Sequence, residues 1–107
     1  MLSLCSCSKA SDVYGVWYND SMGVRNAIQF SENRSGEDVF AWAVKDIKSD
    51  TEESRTVGFY RVSGDSIIFD PDDGTEPYTL SFRFEDCALV LFSETTSIKF
   101  LKYTLEG

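Results

Sequence analysis

Tyr78-Thr79-Leu80-Ser81-Phe82-Arg83-Phe84-Glu85 alternates apolar and polar side chains without a break. Tyr78, Leu80, Phe82 and Phe84 fall on one side, and Thr79, Ser81, Arg83 and Glu85 on the other. Successive side chains of a strand point to opposite faces, so the stretch predicts a β-strand with one dry and one wet face. Asp86-Cys87 then marks a tight turn into a strand from Ala88 to Phe92. After Ser93 to Ser97, Ile98 to Leu105 supplies the last strand, with Ile98, Phe100 and Lys102 set against Lys99, Leu101 and Tyr103.

The same rhythm runs back toward the N-terminus. Ile67, Ile68 and Phe69 precede a turn cluster, Asp70-Pro71-Asp72-Asp73-Gly74-Thr75-Glu76-Pro77. Thr56 to Val62 sets Val57 and Phe59 against Gly58, Tyr60 and Val62, and Ser63-Gly64-Asp65-Ser66 joins these two strands as a hairpin. Val39 to Asp46 places Phe40, Trp42 and Val44 on one face, and the charged stretch Ile47 to Arg55 reads as a solvated turn. Ala27 to Phe30 and Val13 to Tyr18 complete eight strands, one roughly every 11 or 12 residues. Such spacing predicts an all-β domain, a small antiparallel meander closed or nearly closed into an eight-stranded barrel, because closure removes exposed edges. Residues 13–107 form that single domain, and residues 1–12 read as a flexible N-terminal segment.

Composition narrows the chemistry. In 107 residues there are 18 Asp and Glu against 10 Lys and Arg, a net charge of -8, and no histidine. A mechanism that needs an imidazole base or ligand is therefore excluded. Arg25, Arg34, Arg55, Arg61 and Arg83 are scattered among acids, which argues against a nucleic-acid face. Asp70, Asp72 and Asp73 before Gly74 are rich in oxygen, but the glycine comes too early for a calcium-binding EF-hand and the segment is read as a hairpin turn. No cofactor, metal or catalytic residue is expected, and the chain is read as a non-enzyme.

Several short motifs resemble the small lipocalin-like domains of bacterial lipoproteins and secreted proteins. Gly15-Val16-Trp17 matches their opening Gly-x-Trp strand, and Ile28-Gln29-Phe30 the strand that follows. Gly58-Phe59-Tyr60 with Gly64-Asp65 matches their Gly-x-Tyr strand and Gly-Asp turn. Leu89-Val90-Leu91 and Phe100-Leu101-Lys102-Tyr103 stand where those domains close. The resemblance implies a lipocalin-like barrel and carries no catalytic residue with it. About ten large aromatics in so short a chain predict a filled interior rather than a wide cavity.

Leu4-Cys5-Ser6-Cys7 resembles a bacterial lipobox, with Ser6 in the small position and Cys7 as the lipidated residue. The segment lacks the basic region and the roughly 7–15 apolar residues of a whole signal peptide, and reads as the remnant of one. It predicts a cell-envelope or extracellular location, with any membrane contact made through a lipid anchor. Cys87, beside an apolar strand, reads as a small buried or semi-buried apolar residue, while a bridge to the N-terminal cysteines stays open.

The expected function is a non-enzymatic binding or protein-interaction domain, its acidic surplus favouring a basic protein partner. The alternatives are a peptidase inhibitor of small β-barrel type, acting through residues 3–12, and a carrier of a small apolar ligand. Candidate contact residues are Trp17, Trp42 and Tyr60, should their rings reach the surface, together with the loops Asn19 to Asn26, Asn33 to Asp38 and Lys48 to Arg55.

Overall fold

The alternation quoted above forms a strand with the expected bounds, one of eight in a computed structural model that describes residues 13–103. In chain order these are β1 Gly15–Ser21, β2 Val24–Glu32, β3 Asp38–Asp46, β4 Thr51–Ser63, β5 Ser66–Pro71, β6 Tyr78–Glu85, β7 Ala88–Phe92 and β8 Ser97–Lys102. Each strand pairs antiparallel with the next. β8 returns to β1, with Lys102 opposite Trp17 and Leu101 opposite Tyr18, so the meander closes into a barrel.

Turn chemistry sets the register. Met22 and Gly23 both have positive φ, 55° and 81°, between the paired residues Ser21 and Val24. Asp86 and Cys87 do the same at 48° and 70° between Glu85 and Ala88. Two successive positive-φ residues make type I′ turns, whose twist matches that of the flanking strands. Gly64, at φ 63°, opens the third two-residue turn between Ser63 and Ser66.

Three sequence expectations are corrected. Asn19 to Asn26 is not a loop but two strands joined at Met22-Gly23, because a type I′ turn needs only two residues. β4 begins at Thr51 rather than Thr56, so most of the segment expected to be a solvated turn is strand. Thr51 to Arg55 lies on the far part of the β3–β4 hairpin, beyond the core, so its backbone pairs with β3 while its side chains stay polar and exposed. Cys87 is exposed rather than buried, because the turn that reverses the chain holds it at a hairpin tip. It is disulfide-bonded, and the chain's other cysteines, Cys5 and Cys7, lie outside the described residues.

The inward positions carry the core. Trp17, Ile28, Phe30, Phe40, Tyr60, Ile67, Phe69, Phe82, Leu89, Leu91 and Phe100 are buried, contributed by all eight strands. Burying each such side chain contributes roughly 1.5–3 kcal/mol. Rings from well-separated strands meet across the interior: Trp17 of β1 lies 6.1 Å from Phe84 of β6, Phe30 of β2 6.1 Å from Phe69 of β5, and Trp42 of β3 6.0 Å from Phe100 of β8. The aromatic surplus of the sequence is spent here, filling the barrel as expected of a small eight-stranded one.

Candidate functional site

One end of the barrel is sealed. Val13, just before β1, is fully buried, and its carbonyl accepts a 2.8 Å hydrogen bond from the Trp17 indole. Lys102 lies over the outer side of that indole, its Nζ 4.6 Å from the ring centroid, and donates to the Tyr14 carbonyl at 2.7 Å. Gly15 makes room for it: its φ is 121°, and a Cβ there would stand 2.8 Å from the Lys102 Nζ. The Gly-x-Trp motif thus closes the barrel floor. Beside it, the Tyr14 hydroxyl donates to the Asp38 carboxylate at 2.6 Å, which with burial pushes the Tyr14 pKa up to about 12. Burial and the nearby Asp38 charge raise that of Tyr60 as well.

The predicted contact residues therefore separate. Trp17 and Tyr60 lie in the core, 2% and 6% exposed, and present no surface to a partner. Trp42 is half-buried at the opposite end, its indole donating to the Asn26 side chain at 3.0 Å. It lines an open cleft of about 310 Å³ with Val44, Ser54, Thr56 and Tyr78. The buried Phe69 ring packs against two of these residues, stacked with Tyr78 at 5.1 Å and tilted against Trp42 at 5.9 Å. Cys7 lies outside the described residues. Of the nominated loops, Asn33 to Asp38 is held tightly, with the Asn33 side-chain oxygen accepting from the amides of Ser35 and Glu37 at 2.9 Å each. Asp73 caps the Thr75 amide at 2.9 Å, the local bonding of a turn.

The outer wall of β3 and β4 is not among the contact surfaces expected from sequence. Val57 and Phe59 point outward and are 39% and 42% exposed. Their cross-strand neighbours Ala41 and Val39 extend the apolar area, which floors a shallow depression of about 260 Å³. The signal was present in the alternation of Thr56 to Val62, where Gly58, Tyr60 and Val62 form the inward set and leave two bulky apolar residues on the other face. Contiguous exposed apolar surface of this kind marks contact sites more often than scattered apolar residues do.

Fold and site together define an eight-stranded antiparallel β-barrel, consistent with a lipocalin-like fold, with a packed interior and its accessible apolar surface on the wall and at one mouth. Comparison with protein-family models, curated proteins and solved structures finds no match.

Proposed function

We propose that the chain is a non-enzymatic protein-interaction domain of a secreted or cell-envelope protein, and that it works through its outer wall. The observation that carries this reading is the division of its apolar side chains. Rings from distant strands meet across the barrel axis, while Val57 and Phe59 are turned out to solvent. A ligand carrier needs interior space, which these rings occupy, so the protein-binding reading is favoured over the carrier. The net charge of -8 favours a basic partner. An extracytoplasmic location is supported by the lipobox-like Leu4-Cys5-Ser6-Cys7 and by the disulfide at Cys87, since such bonds persist in oxidising compartments.

A photoreactive residue placed at position 59, with position 79 on the exposed face of β6 as control, tests the proposal in the cells that make the protein. A discrete adduct with a basic protein at position 59 and none at 79 is expected. A folded protein that gives no adduct at either position defeats it. Stoichiometric uptake of an apolar fluorophore, displaced by a fatty acid, would instead establish the carrier.

A further inference from the structure

β4 is 13 residues long and β5 only six, so the two cannot cover one another. β5 pairs with Gly58 to Ser63, and the Asp72 amide adds one bond to the Val57 carbonyl at 3.0 Å. From Thr51 to Thr56, β4 has β3 on one side and no strand on the other among the described residues. Amide and carbonyl of one antiparallel residue point the same way, and the direction alternates along the strand. Because Val57 faces the β5 side, Arg55 presents its N–H and C=O to the open side.

This open edge borders the Trp42–Tyr78 cleft, whose lining includes Ser54 and Thr56. A register shift opposite Val44 and Lys45, at Glu53, bends the outer part of the edge. Such bulges limit indiscriminate pairing and leave only the stretch nearest the barrel straight enough for a further strand. The surroundings are acidic. From Asp70 to Tyr78, the segment that leads from β5 to the cleft, the chain carries Asp70, Asp72, Asp73 and Glu76 and no Lys or Arg. Among the described residues none of these acids, nor Glu53, forms an ion pair.

We infer that the β4 edge from Ser54 to Val57 accepts an extended basic peptide segment as an added strand, with an apolar side chain of that segment entering the Trp42–Tyr78 cleft. The inference rests on the interaction-domain reading and specifies a partner chemistry for it. Strand addition takes affinity from main-chain hydrogen bonds and specificity from pockets for alternate side chains, and both are present here. A second copy of this chain is a poorer occupant, because its own net charge of -8 opposes approach to an acidic rim.

The test uses the isotope-labelled full chain and a short synthetic peptide alternating lysine and valine. Saturable amide shifts at Arg55 and Thr56 and at the Trp42 indole are expected, weakening as salt rises. Backbone N-methylation of the peptide should abolish them, and Asp72→Asn with Asp73→Asn should weaken binding about fivefold, the scale of two exposed charge pairs. Arg55→Pro removes the outward N–H without breaking the β3 ladder and should also abolish binding. Equal binding of the N-methylated peptide, shifts confined to another face, or concentration-dependent β4 shifts without peptide would each overturn strand addition. The cross-link at position 59 makes no reference to the edge, so the wider reading stands or falls separately.

Discussion

Lys102 at the end of β8 lies across the Trp17 ring of β1, with its Nζ 4.6 Å from the ring centroid. The two residues are also directly opposite in the β1–β8 ladder, so the contact that seals the floor is made at the seam that closes the barrel. A cation over an indole is worth about 0.5–2 kcal/mol, and here the same ammonium also binds the Tyr14 carbonyl.

Lys102→Met keeps the length of the side chain and removes its charge, and should cost about 1–2 kcal/mol in urea unfolding. Gly15→Ala should cost about 1–3 kcal/mol, because alanine is strained at φ 121° and its Cβ displaces the lysine. Combining the two should cost less than their sum, since both disturb one contact. Full additivity would show that Gly15 and Lys102 act independently.

Gly58 faces a harder constraint. A Cβ there would meet the Asp70 carbonyl oxygen and would stand 2.7 Å from the Pro71 Cα, backbone atoms that have no rotamer to change. Gly58→Ala should therefore cost about 3 kcal/mol or more, with loss of cooperative melting as the readout. A variant within 1 kcal/mol of the parent, on the scale of a tolerated core exchange, would show that β4 and β5 separate easily.

Tyr14 makes the fold sensitive to alkali. Its hydrogen bond to Asp38 raises its pKa from 10.0 to about 12 in the folded protein, so folding favours the protonated phenol. That contribution is fully present below pH 10 and is lost as pH rises toward 12. Ultraviolet titration should show one fewer late-ionising tyrosine in Tyr14→Phe than in the parent, and the variant's stability should fall less steeply above pH 10. Identical titrations of parent and variant would contradict the assignment.

The thiols separate two maturation states. Lipidation commits the Cys7 sulfur to a thioether, and cleavage of the chain immediately before Cys7 then removes Cys5, so a fully processed lipidated chain keeps no second cysteine for Cys87. Alkylation and intact mass should therefore find either a diacylglycerol adduct or a Cys87 protected until reductant is added, never both in one molecule. The protected form is expected, and its reduction should lower stability by about 2–4 kcal/mol. Both features on one chain would require a bridge to another molecule.

Alternation by itself determined the strand count, the all-β class and the bounds of β6 and β7, because a half-buried strand writes its period of two into the residue order. It also placed Phe40, Trp42 and Val44 on the same face. It missed Thr51 to Arg55 as strand, since a hairpin extending past the core is held by backbone bonds that leave no apolar signature. Which tryptophan meets solvent was decided only by tertiary structure. Trp17 and Trp42 sit on equally apolar faces, but closure buries the first beneath Lys102 and leaves the second at the open mouth. The unmatched lengths of β4 and β5 likewise produce an open edge only when the barrel closes. Side-chain periodicity is local and can be read from sequence, whereas exposure depends on which strands stand opposite one another.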